Sequence, residues 1–168
     1  MAFEAVMNLI SGKPPVAPPG DNFSLPLTAS EDAVAGSVYR LNRVGSGNFR
    51  LTLATAAVKT AAVVCMEDAD GVADDNSTPQ VNVRVAWITP GTVFKVPITN
   101  KAGTGDPTTL HADVRIGGTC NINDKGDGLD GQTDTSAVDG PLSIVKLDRD
   151  EHLAWVVFNA GYLSQDRS

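Results

Sequence analysis

Residues 81–98 read VNVRVAWITPGTVFKVPI. Val81, Val83, Val85 and Trp87 alternate with Asn82, Arg84 and Ala86, and after Thr89-Pro90-Gly91-Thr92 the alternation resumes with Phe94, Val96 and Ile98. Successive side chains of a β-strand point to opposite faces, so a period of two lays one apolar row against a core. β-Branched and aromatic residues suit a pleated, half-buried surface. Pro presets φ for the first corner of a turn, and Gly reaches positive φ at the second. The stretch therefore predicts two strands joined by a tight turn, with Trp87 and Phe94 flanking a hairpin and both tryptophans, Trp87 and Trp155, packed in a core.

The same pattern extends in both directions. Residues 38–42 form a short strand, and in residues 49–53 Phe49, Leu51 and Leu53 alternate with Arg50 and Thr52. Residues 61–66 (AAVVCM) are apolar on both faces, as a central strand is. Two strands close the chain, residues 142–147 and the nearly continuous apolar run 152–158, joined by the charged turn Asp148-Arg149-Asp150-Glu151. His152 heads the last strand and reads as a structural residue. Asp106-Pro107 suits an N-cap followed by Pro at the first helical position, so one short helix is expected over residues 108–113. Long polar loops cover residues 67–79, 99–107 and 123–141.

Residues 1–30 differ from this body. Ser11 to Gly20 reads SGKPPVAPPG, four prolines in ten residues. Proline fixes φ, removes a donor and restrains the residue before it, so the stretch should be extended and polyproline-like. Apolar residues flank it on both sides and need a surface to lie on. The expected organisation is an extended N-terminal arm over residues 1–30 and a β-rich body over 31–168. The arm residues expected to dock on a neighbour are Phe3, Val6, Leu9, Ile10 and Phe23, with Pro14, Pro15, Pro18 and Pro19 keeping it extended.

Composition narrows the function. At 168 residues the chain suits one domain, and its size allows a core without disulfides or metal. The net charge is −7, and the 13 Lys and Arg are scattered singly. No basic patch is available for phosphates or anionic lipid, so neither nucleic acid nor membrane is an expected partner. The N-terminus lacks a basic and then apolar leader, and no run is long enough for a membrane span, so a soluble protein is expected. The acids are 16 Asp against 4 Glu, a skew towards turns and caps. Half of them fall in residues 67–75 and 124–139, yet the spacing departs from a Ca²⁺-binding loop and Lys125 sits among them, so solvated turns are the reading and no metal is expected. Cys65 and Cys120 have no metal-site or redox spacing and read as buried free thiols. His111 and His152 lie in no catalytic motif, and no G-x-S-x-G is present, so no enzyme activity, catalytic residue or cofactor is expected.

The order of features also resembles a known family. It runs from the Pro-rich arm through Gly36-Ser37-Val38-Tyr39-Arg40-Leu41 and Met66-Glu67-Asp68-Ala69-Asp70-Gly71. It continues with 81–88, Thr89-Pro90-Gly91-Thr92-Val93-Phe94-Lys95-Val96-Pro97, Gly117-Gly118-Thr119 and a final pair of strands. This resembles the head decoration, or cement, proteins of tailed bacteriophages. The resemblance implies a mainly β, compact β-tulip or barrel-like single domain. It implies a structural role on the outer surface of the mature capsid, with the major capsid protein and further copies of the chain, as a homotrimer, for partners. A tail-tube or head–tail joining protein and a surface carbohydrate-binding module are the alternative readings.

Overall fold

The computed structural model describes residues 2–9, 24–44, 48–55, 60–73, 80–132 and 140–163. The chain is mainly β, as expected. Its strands are β1 (Glu4–Asn8), β2 (Ser24–Pro26), β3 (Val38–Val44), β4 (Asn48–Leu53), β5 (Val63–Cys65), β6 (Asn82–Trp87), β7 (Thr92–Thr99), β8 (Thr119–Cys120), β9 (Leu129–Asp130), β10 (Leu142–Asp148) and β11 (Leu153–Phe158). They form two sheets, ordered β1-β7-β11-β10-β8 and β2-β6-β5-β3-β4, with β9 added alongside β7. All pairings are antiparallel except that of β7 with β9. Neither sheet closes into a barrel. The second curls, because an isolated bridge between Leu27 and Leu51 brings the chain just after β2 against β4 at the far end of the strand order.

Each sheet encloses its own apolar core. Phe94, Val96 and Ile98 of β7 meet Ala154, Val156 and Phe158 of β11 and Leu142 and Ile144 of β10 in the first. Leu27, Tyr39, Leu41, Leu51, Val83 and Val85 fill the second, inside the curled sheet. β5 is shared by both. Val64 belongs to the first core, whereas Val63 and Cys65 belong to the second, and all three are buried. Within the doubly apolar run 61–66, residues 63–65 form the strand buried on both faces that the sequence predicts, and Met66 beyond it is exposed.

The turn at residues 89–92 forms as expected. Gly91 has φ of 80°, and the Thr92 amide donates to the Thr89 carbonyl at 3.1 Å. The hairpin does not form: β6 and β7 lie in different sheets. The Ile88 amide donates to Ala62 O at 2.9 Å and its side chain enters the first core, so the turn carries the chain across from one sheet to the other. Alternation gave each strand an inward face without specifying which core that face meets. The helix expected over 108–113 is also absent. His111 N donates to Gly131 O at 2.8 Å, and Gln132 Nε2 to Thr108 Oγ1 at 2.6 Å. These partners come from the chain around β9, so the segment is tied sideways instead of along a helix axis. The only helical turn among the described residues is a 3₁₀ turn at Ala160–Tyr162.

Residues 24–36 belong to the body. Tyr39, buried in the second core, donates its hydroxyl to Asp32 O at 3.0 Å and accepts from Val34 N at 3.3 Å. Glu31 accepts from the amide of Leu53, capping the end of β4 with a carboxylate. Desolvation by burial raises the Glu31 pKa, against the opposing pull of the Leu53 hydrogen bond and the Arg40 charge.

Two substitutions test these anchors. Tyr39→Phe keeps the ring but strands the Val34 amide. It should cost about 1–3 kcal/mol in urea unfolding, and an unchanged midpoint would refute the anchor. For Glu31, the folded carboxyl ionises at higher pH than an unfolded one, so its contribution to stability falls as pH rises through the folded value. E31Q keeps the acceptor without the charge. Its melting temperature relative to wild type should climb between acidic and neutral pH, and a flat difference would contradict the burial.

Candidate docking surface

The N-terminal residues were expected to leave the body, and the structure places those it describes on the body itself. β1 pairs antiparallel with β7, with Glu4 opposite Lys95, Ala5 opposite Phe94, Met7 opposite Val93 and Asn8 opposite Thr92. The register slips between Ala5 and Met7, leaving Val6 as the extra residue of a bulge. Leu9 N continues the attachment with a 2.8 Å bond to Gly91 O.

Phe3, proposed from sequence as a docking residue, is 4% exposed. Its ring lies 5.8 Å from that of Phe94, edge-on, and 5.6 Å from that of Phe158. The edge-on pair with Phe94 lets the positive edge of one ring meet the negative face of the other, while the ring of Phe158 packs at a tilt. Phe3 is therefore part of this chain's own first core. A preceding contact fixes the strand's entry: Phe3 N donates to Gly36 O at 2.9 Å, and Gly36 has φ of 81°. A Cβ on Gly36 would fall 2.1 Å from that of Ala2, so a glycine is needed there for conformation and for space.

Val6 is half-buried, and Leu9 is 53% exposed beside Met7 at 40%. Ile10, Pro14, Pro15, Pro18, Pro19 and Phe23 lie outside the described residues. The apolar residues of the N-terminal segment thus divide. Phe3 turns inward, and Met7 and Leu9 are presented at the edge. A shallow groove beside the strand is lined by Ala2, Phe3, Glu4, Lys95, Pro97 and Leu153.

The outer face of the first sheet holds a further feature that alternation alone misjudged. Ala154, Val156 and Phe158 point inward, so Trp155 faces outward and is half-buried. Lys146 and Lys95, its register neighbours on the flanking strands, place their Nζ atoms 4.1 and 5.9 Å from the ring centre. Trp87, also expected in a core, is 40% exposed. It is the last residue of β6 and stands at the rim, on the inward register but beyond the depth of the core.

Several of the described carboxylates accept from the backbone. Asp68 Oδ1 accepts from Ala35 N and Asp32 Oδ1 from Gly71 N, at 2.8 and 2.9 Å. Glu67 holds Arg84 through its backbone N and its Nε, both at 2.8 Å, and these bonds lower the Glu67 pKa. Fully buried Asn123 accepts from Lys125 N and Asp127 N and donates to Thr99 Oγ1 and Asp127 Oδ1. Among the described residues, no three His, Cys, Asp or Glu gather as a metal site. His111 lies beside Asp113 at 3.5 Å, and His152, at φ of 49° in the turn before β11, beside Asp106 at 3.3 Å. Cys65 and Cys120 are buried and free. Among the described residues, no helix is long and apolar enough to cross a membrane.

Compared with known proteins, the chain matches no family model, no curated protein and no solved structure.

The division of the N-terminal residues is directly testable. Phe3→Ala removes a buried aromatic and should cost about 3–5 kcal/mol, whereas Leu9→Ala at the exposed edge should shift stability by less than about 0.5 kcal/mol. Equal effects in chemical denaturation would contradict the placement.

Proposed function

We propose that this chain is a structural virion protein that binds the outer surface of a mature capsid and cements neighbouring major capsid subunits. The observation that carries this reading is the edge position of β1. It displays Met7 and Leu9 immediately before the proline-rich segment of residues 11–20. An unpaired strand edge is a template for backbone pairing with another chain, and apolar residues beside it add contact area. Many copies on a repeating shell would convert individually weak contacts into firm attachment. The two packed cores and the tied carboxylates suit a part that bears load. A net charge of −7 suits a surface turned away from packaged nucleic acid. Acidic groups that tie backbone segments together suit a part that serves assembly.

A carbohydrate-binding role is the second reading, favoured by the outward Trp155 and the 40% exposed Trp87. It predicts a shift in tryptophan fluorescence on adding glycans, which the capsid reading does not.

The decisive measurement is the copy number of this chain in purified particles, by quantitative mass spectrometry against the most abundant shell subunit. A simple fraction of the shell count is expected. Leu9→Asp, which leaves the Leu9 backbone bond in place, should lower that fraction. A count of one or a few rings would instead indicate a tail or head–tail joining protein, and absence from particles would overturn both virion roles.

A further inference from the structure

The seat of β1 is a shaped receptor for a segment whose identity the structure shows. It consists of the edge of β7, the rings of Phe94 and Phe158 that receive Phe3, and the Gly36 carbonyl and open Cα that receive Phe3 N and Ala2. A second copy of the chain carries the same segment. We propose that β1 is an exchangeable clasp: in assemblies of this protein, residues 2–9 of one copy occupy the seat on β7 of another.

Three observations carry this. First, β1 is first in the chain and outermost in its sheet, and among the described residues its only strand partner is β7. Removing it opens one ladder and leaves β7 paired with β11 and β9. Second, the seated contacts are independent of which copy supplies the strand. Exchange keeps the Phe3 packing and every backbone bond of β1, so linker strain and local concentration decide between the two arrangements. Third, β1 and β2 belong to different sheets, and fifteen residues, Leu9 to Phe23, join them. That link holds Pro14, Pro15, Pro18 and Pro19. Prolines disfavour a compact return of the chain, and a ten-residue proline-rich run reaches about 31 Å when extended. A domain of this length has a radius of gyration of roughly 15 Å. By sequence length and proline content alone, such a link can reach an adjacent copy. The inference rests on this chain alone and holds for purified protein without capsids, so its failure and that of the virion reading are separable.

The test uses the facing pair Glu4 and Lys95. Directly opposed residues of an antiparallel pair have Cα atoms about 4.5–5.5 Å apart, within disulfide range. Single variants E4C and K95C are mixed, unfolded and refolded together at high concentration, then oxidised. A disulfide between unlike chains forms only if the strand of one copy lies on the β7 of another. The double variant E4C/K95C, treated likewise, should give a ladder of covalent multimers on non-reducing gels. Each single variant refolded alone controls for the native Cys65 and Cys120. The proposal predicts unlike-chain pairs well above those controls, together with the ladder. It is overturned if the double variant closes only within single chains while the mixture stays at control level. It is equally overturned if the double variant forms no bond, since β1 would then not occupy the seat in either arrangement.

Discussion

Burial of β5 on both faces is the constraint on which this architecture depends. Val64 packs into one core, and Val63 and Cys65 into the other. A three-residue strand with no solvent face holds the two units at a fixed separation. The crossing at residues 88–92 exists because of it: once β5 pairs with β6, the Ile88 amide bonds back to Ala62, and β7 is released to the opposite sheet. A polar group at position 64 would face the apolar interior of the first core, with no water to hydrate it.

The sheet edges are managed by short pieces and side chains. β1 and β9 divide one edge of β7, meeting residues 92–95 and 98–99 respectively. The end of β4 receives a Glu31 carboxylate, and the Leu27–Leu51 bridge joins the outer members of the curled sheet. Patching of this kind limits unplanned pairing between exposed edges. Asp68 and Asp32 accept from the Ala35 and Gly71 amides, tying together loop segments more than thirty residues apart in sequence.

Much of this was legible in the sequence, and the failures have physical causes. Period-two patterning located the strands around Leu51, Val83, Val96, Ile144 and Val156, and the doubly apolar run 61–66 announced a strand buried on both faces, without showing that two separate cores would share it. Pro90-Gly91 identified a turn, but a turn sequence fixes local backbone and not the partner that follows, so the expected hairpin became a crossing. The helix expected after Pro107 lost to long-range bonds from Gly131 and Gln132, which no local signal encodes. Trp87 and Trp155 show the limit of alternation. It gives the side of a strand, but neither the distance from the rim nor whether an outward face is covered. The N-terminal segment carried apolar residues with two different fates. Only tertiary packing distinguished Phe3, seated between aromatic rings, from Leu9 at the open edge.

The two thiols have a consequence beyond structure. Cys65 lies in the second core and Cys120 in the first, and burial raises the pKa of both, that of Cys120 to about 12. Since the thiolate is the reactive form, neither sulfur is available to an alkylating reagent while its core stays shut. The protein therefore carries one native chemical clock in each half. The relative labelling rates of the two cysteines measure, without any engineered probe, whether the halves breathe together or one opens while the other remains closed.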